Sequence, residues 1–158
     1  MPVLPYDRAA AVQYALRWAL SRNPEWPDFT HLGGDCANFV SQCLYAGAPR
    51  MNFTPDTGWY YRSLADRAPA WSGAQFLYRF LLSSPAPVPS GHETDVSSLL
   101  PGDVAFLHNG SRVYHALLIL SPDPVPLVAA HTDDALLRPL SSYAPFQILP
   151  VRITGASP

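Results

Sequence analysis

The stretch Gly33-Gly34-Asp35-Cys36-Ala37-Asn38-Phe39-Val40-Ser41-Gln42-Cys43-Leu44-Tyr45-Ala46-Gly47 decides how this chain is read. Asp35 is a helix-capping residue type, and a glycine stands where roughly three turns would end, so a helix is predicted over 36–47. Cys36 then takes the first helical position, where backbone N–H groups without intrahelical acceptors and the positive end of the helix dipole favour an anion. Such a place can lower a thiol pKa from about 8.5 into the range of roughly 3.5–7.5, giving a nucleophilic thiolate. On position alone, a small apolar residue packing the helix start is an equal alternative. Cys43 lies two helical turns on, rotated by about 20°, and reads as core under the same face. Helical spacing sets the two residues about 10.5 Å apart along the axis, beyond the reach of a disulfide. The cysteines therefore leave the compartment open.

Upstream, Asp7 precedes a helical stripe of Ala11, Ala15, Trp18 and Ala19 that ends at Asn23-Pro24. Downstream, residues 52–71 are irregular and aromatic, and Ser72 is expected to cap a third helix over 75–82. The proline-rich segment 83–98 reads as a loop inside the domain, because too little chain follows it to fold alone. Strands come next. Residues 103–108 and 113–120 flank Asn109-Gly110, a strong hairpin turn, and 127–131 and 146–153 follow, with Pro150 placing the last at an edge or bulge. Helices followed by an antiparallel sheet make an α+β fold, expected as a single domain over 1–158.

All ten basic residues are arginine, and only Glu25 and Glu93 accompany ten aspartates among the 158 residues. Without lysine there is no Schiff-base lysine, phosphate-loop lysine or Ser-Lys pair. The helical zinc-protease motif, the Gly-x-Ser-x-Gly elbow and the Gly-x-Gly-x-x-Gly loop are missing as well. A net charge of −2 argues against a nucleic-acid partner. No apolar run is long enough to span a bilayer. The first residues lack a basic region followed by an apolar stretch, so no signal peptide is expected, although an exported parent protein with extracellular or cell-wall action stays open. A monomer without metal or other cofactor is expected.

A nucleophilic thiol needs a base. Strand alternation puts His115 on one face with Val113, Leu117 and Ile119, where it is either a satisfied core residue or a functional one in a dry wall. If 119 pairs with 127, His115 stands opposite His131 at a Cβ separation of about 4.5–5.5 Å. An odd slip would send the two to opposite faces. On the assumed register Cys36, His115 and His131 form a nucleophile, base and orienting group. His108 belongs to a solvated turn, His92 to the surface, and His31 to the mouth of the site. Asp103 reads as fixing the start of the hairpin. Gly34 and Gly33 would let a substrate backbone approach closely. Asn38 is a candidate donor near the site against a structural role, Asp35 serves the cap first, and Trp59, with Trp26, Tyr60 and Trp71, either lines a groove or fills the core.

The segments Tyr6-Asp-Arg-Ala-Ala-Ala-Val-Gln-Tyr-Ala15, Gly33 to Gly47, Trp59-Tyr60 and His131-Thr-Asp-Asp-Ala-Leu-Leu-Arg-Pro-Leu140 resemble the bacterial putative amidase domain family. More distantly, Asp35-Cys36 with Phe39-Val40, Leu100-Pro-Gly-Asp-Val-Ala-Phe106 and His115 with Leu117-Leu-Ile119 resemble NlpC-type peptidases and CHAP-type amidohydrolases. Ala37 departs from the Thr or Ser common after Asp-Cys. The resemblance implies a papain-like fold, Cys36 as nucleophile, His115 as base and His131 at the third polar position. It further implies a peptide or peptidoglycan-like amide substrate cut through a thioester. Acyl transfer through the same thioester, an inactive wall-peptide binding module, and a zinc site from His115, His131 and Asp133 are the alternatives. For any substrate carboxylate, Arg138 is the first candidate.

Overall fold

The computed structural model describes residues 4–83 and 89–156. Its frame is a hairpin of apolar strands, β5 (Val104–His108) and β6 (Val113–Ser121), buried on both faces and joined through Asn109-Gly110. On one side lies β9 (Gln147–Ala156), which also pairs β1 (Leu4–Pro5) and β4 (Ser90–Glu93). On the other lie β7 (Leu127–Ala130) and β8 (Ala135–Pro139). Every pairing in this seven-stranded sheet is antiparallel, in the order β1-β9-β5-β6-β7-β8 with β4 also on β9. The strands β2 (Tyr61–Ser63) and β3 (Asp66–Arg67) form a separate small ribbon in the aromatic segment expected to be irregular.

Among the described residues, four helices complete the α+β fold: α1 (Arg8–Trp18), α2 (Cys36–Gly47), α3 (Pro69–Ser72) and α4 (Ala74–Leu81). Asp7 caps α1 by accepting from the Ala10 N–H at 3.0 Å, and Ala11 and Ala15 turn inward. Phe39, Val40, Cys43 and Leu44 of α2 pack on Phe106, Ala116, Leu118 and Ala129 of the sheet. Leu117, Ile119, Val128 and Ala130 point to the opposite face, which Leu99 and Leu140 cover. Burial on both faces explains why β5 and β6 read as almost unbroken apolar runs. Among the described residues, no helix is long and apolar enough to cross a membrane.

Asp103 fastens the start of β5, as its place after Pro101-Gly102 suggested. The fully buried carboxylate accepts from the N–H groups of Leu100 and Ile153 and pairs with Arg8 at 2.8 Å and Arg152 at 3.2 Å. One acid thereby joins the first helix, the central hairpin and the last strand. Buried charge held this way is costly to orphan.

Several expectations need correction. The expected loop 83–98 contains β4 and a short 3-10 turn, with residues 84–88 outside the described part. The helix expected over 75–82 is α4, preceded by the unforeseen short α3, and it starts after Gly73 rather than Ser72, whose hydroxyl accepts from Arg67 instead. Strand β8 was not foreseen, because Leu-Leu-Arg-Pro carries no clean alternation. Pro150 lies within an interior strand, yet its carbonyl accepts from Thr94 just past the end of β4, so its missing N–H falls where pairing stops. The most consequential correction is register. Ile119 pairs with Val128, not residue 127, and an irregularity lies between Ile119 and Ser121. A slip of one residue exchanges the faces of everything that follows.

Candidate active site

Cys36 opens α2 beneath the bend at Gly33-Gly34, both of which have left-handed φ angles, +98° and +105°. A Cβ on Gly34 would meet Thr132 Oγ1 at 3.3 Å, so this bend needs glycine to lie against the β7–β8 turn. The turn is held from two sides. Thr132 Oγ1 accepts from the Asp35 N–H at 2.9 Å, and Arg22 grips Asp134 through two hydrogen bonds of 2.8 and 3.1 Å. Thr132 and Asp133 are themselves left-handed at φ +59° and +58°, a strained choice for a β-branched residue that the clamp sustains.

Asp35 does not cap α2 with its side chain. Its buried carboxylate accepts from the Phe29 N–H at 2.7 Å and from Asn38 Nδ2 at 2.9 Å, and meets His131 Nδ1 at 2.5 Å. The other ring nitrogen of His131 donates to the Trp18 carbonyl at 2.8 Å, and the ring stacks on Phe39 with centroids 4.0 Å apart. Acceptors therefore stand at both ring nitrogens, which leaves the imidazole no free polar atom. His131 thus faces the helices with both nitrogens engaged, away from the role of orienting His115. The register assumed for that role is one residue off.

Asn38 and Trp59 are also placed differently from a substrate groove. Asn38 is fully buried, donating to the Pro27 carbonyl and Asp35 and accepting from Trp71 Nε1. Trp59 is fully buried and donates to Ser41 Oγ, whose hydroxyl donates to the Trp71 carbonyl. Trp26 stacks on Trp71 at 5.2 Å in the same aromatic core. These polar and aromatic groups support α2 from below. Buried amides and indoles with complete hydrogen bonding have nothing left to offer a ligand.

The cleft above Cys36 has two arms that share Gly33, Gly34, Cys36 and Tyr114. One arm, of about 210 Å³, adds His115, Thr132 and Asp133. The other, of about 160 Å³, adds Ser72, Gly73, Gln75, Phe76, Arg112 and Val113. Each is smaller than a site for a whole drug-sized ligand, so together they suit a short extended segment passing over Cys36. His31 is exposed and lies outside both linings. A larger hollow of about 640 Å³ beside α1 is lined by Tyr14, Arg17, Trp18 and Glu25 and has no cysteine or histidine in its wall.

The electrostatics of the two reactive groups differ from the expected thiolate. Burial raises the Cys36 thiol above its ordinary value, against the nearby backbone N–H groups of Ala116 and Ala37. Burial lowers His115 to about 4, with Asp133 pulling upward and Arg138 downward. Both shifts favour neutral forms, so the resting site holds a thiol and a neutral imidazole. Among the described residues, no hydrogen bond joins them. Sequence reasoning grouped Asp133 with His115 only as a metal ligand; its pull on the His115 proton depends on the turn geometry. It missed Tyr143, whose ring meets His115 edge-on at 6.0 Å and whose buried hydroxyl has no partner among the described residues. Arg138 is stacked over Tyr143 at 3.7 Å and donates to Ser142 Oγ.

His115 and His131 lie on opposite faces, and no group of three or more His, Cys, Asp or Glu side chains able to hold a metal occurs among the described residues. Of the three side chains of the zinc alternative, His115 and Asp133 share one arm of the cleft while His131 is turned away to Asp35.

Among known proteins, the chain is 32% identical over 139 residues to the "Uncharacterized protein YhbB" of Bacillus subtilis (strain 168), an alignment covering 84% of this chain and 43% of that protein. The chain thus spans less than half the length of that relative. No solved structure matches it. Residues 5–152, nearly the whole of the chain, match the family described as "Putative amidase domain", and the chain belongs to that family.

Proposed function

We propose that this chain is a cysteine-dependent amidohydrolase of papain-like architecture, acting on a peptide amide through a thioester. The observation that carries the proposal is the shared cleft: Cys36 at the start of α2 and His115 on β6 line one arm, reached over the Gly33-Gly34 bend. A nucleophile-bearing helix packed on an antiparallel sheet, with a histidine on the second strand of the central hairpin, supports the papain-like reading. Cell-wall peptide is the first substrate to test.

In the proposed reaction the Cys36 sulfur attacks the amide carbonyl carbon while its proton passes to His115. The carbonyl π electrons move to oxygen. Gly34 N–H already donates to the Phe29 carbonyl and Asp35 N–H to Thr132, so the remaining oxyanion donors are the Cys36 and Ala37 N–H groups of the first helical turn. Collapse breaks the C–N bond, and protonated His115 gives its proton to the leaving amine. Water then attacks the thioester as His115 takes its proton, and the thiol is released with the acid. His131 contributes by holding Asp35, and through it the start of α2.

The experiment is to incubate the protein with purified peptidoglycan fragments and short peptide amides and measure product masses. Cleavage is expected, its loss in Cys36→Ala is expected, and the circular dichroism and urea midpoint of that variant should be unchanged. Full activity in Cys36→Ala would end the thiol mechanism. Added amines appearing in the products would favour transfer over hydrolysis.

A further inference from the structure

The two arms of the cleft carry opposite charges. Arg112 is the one cation in either lining and Asp133 the one acid. The backbone N–H of Arg112 donates to Asn109 Oδ1 at 3.0 Å, which fixes the hairpin turn. Its guanidinium has no ion pair or hydrogen bond among the described residues. Two other polar side chains of its arm are engaged: Gln75 Oε1 accepts from the Val113 N–H at 2.7 Å, and Ser72 accepts from Arg67 at 3.0 Å. Half-exposed Phe76 gives the same arm an apolar edge beside that charge. Guanidinium matches a carboxylate in a planar, bidentate manner, and this chain has no lysine that could compete for the task.

The chemistry sets the direction. His115 delivers its proton to the leaving amine, so the amine half of the substrate lies in the arm of His115 and Asp133. The acyl half must then extend from Cys36 toward Gln75, Phe76 and Arg112. We propose that Arg112 is a specificity-determining residue that binds a carboxylate on the acyl side of the scissile amide, so that the substrate class is an amide of an acidic acyl group. Asp133 repels acids from the amine half. This rests on the assignment of Cys36 and His115 as nucleophile and base, because those two residues fix which half occupies which arm.

The test uses three fluorogenic peptide amides with one leaving amine and either Glu, Gln or Lys as the residue bearing the scissile carbonyl. The wild type should favour Glu over Gln by about tenfold to a hundredfold in kcat/KM, mainly through KM, as for a charge-assisted hydrogen bond. Arg112→Gln should reduce that preference to within about twofold, and Arg112→Glu should turn it toward Lys, as loss or reversal of one charge pair requires. Arg62→Gln, a charge change far from the cleft lining, should leave the preference as it is. The same peptides are titrated onto Cys36→Ala and Cys36→Ala/Arg112→Gln by fluorescence polarisation, which needs no turnover. Arg112-dependent binding of the Glu peptide with no cleavage by the wild type would keep Arg112 as the carboxylate-binding residue, remove the proposed reaction and with it overturn the acyl-side assignment. Equal handling of the three peptides, or a Glu preference that survives Arg112→Gln, would overturn the inference.

Discussion

His115 on β6 and His131 just past the end of the neighbouring β7 sit sixteen residues apart, yet the sheet separates their fates. His131 faces the helices with both ring nitrogens bonded, one of them to Asp35, and its ring stacked on Phe39. His115 lies on the cleft side with no hydrogen bond among the described residues and with Asp133, Arg138 and Tyr143 around it. Complete bonding makes a histidine a strut, whereas incomplete bonding leaves it a lone pair to use. The contrast separates stability from chemistry within one residue type.

The largest effects should come from breaking each histidine in turn. His115→Ala should lower amide cleavage by about 10²–10⁴-fold, the usual worth of a positioned base, with little change in the urea midpoint at neutral pH. His131→Ala should do the reverse. It leaves Asp35 buried beside a lost partner and should cost about 3–5 kcal/mol of unfolding free energy. Paired measurements of denaturation and turnover decide the matter. Equal stability losses in both variants would dissolve the contrast.

A second way to sharpen it is pH. Held at about 4 by burial, His115 stays neutral and competent through mildly acidic conditions. The acid limb of kcat/KM in the free enzyme should therefore fall near pH 4 rather than near 6.5, the ordinary imidazole value. The stability consequence has a definite sign. Between pH 6.5 and about 4 the unfolded chain takes up a proton that folded His115 refuses, so the folded state loses stability as pH falls through that window. His115→Ala should flatten that part of the stability profile. An acid limb near 6.5 would assign the base elsewhere.

Much of this arrangement was legible in the sequence, and the misreadings have physical causes. The apolar run closing on Gly47 located α2, and Asn109-Gly110 between apolar runs located the central hairpin, because helix stops and turn chemistry are local. The pairing of β6 with β7 is not local. An irregularity near Leu120 shifted it by one residue and carried His131 to the helix face. Asp35 was assigned to the cap by its residue type, but its carboxylate turned to Phe29, Asn38 and His131, partners that only tertiary structure brings near. The thiol was expected to be acidic from its place on the helix. Burial outweighed the backbone N–H groups, and a sequence window carries no measure of burial.

Gly34 offers a smaller effect on both sides of the contrast. Gly34→Ala adds a Cβ 3.3 Å from Thr132 Oγ1 at a φ of +105°, so the bend and the β7–β8 turn must separate. A loss of about 1–3 kcal/mol is expected from the backbone strain. Turnover should fall as well, since Thr132 and Asp133 line the arm with His115. Unchanged melting and unchanged kcat/KM would show that the turn does not depend on this approach.

The smallest effect should come from Tyr143. Its ring supports Arg138 at 3.7 Å and meets His115 at 6.0 Å, and a phenylalanine preserves both contacts. Only the hydroxyl is lost, and that oxygen is buried without a partner among the described residues. Deleting an unsatisfied buried hydroxyl removes a desolvation penalty without breaking a bond, so Tyr143→Phe should raise stability by about 1 kcal/mol or leave it unchanged. The acid limb of the pH profile should stay where it is, because neither Asp133 nor Arg138 is altered. A drop in stability together with a shifted limb would mean that the hydroxyl reaches His115 during turnover, and the lone pair left free at rest would then have an orienting partner.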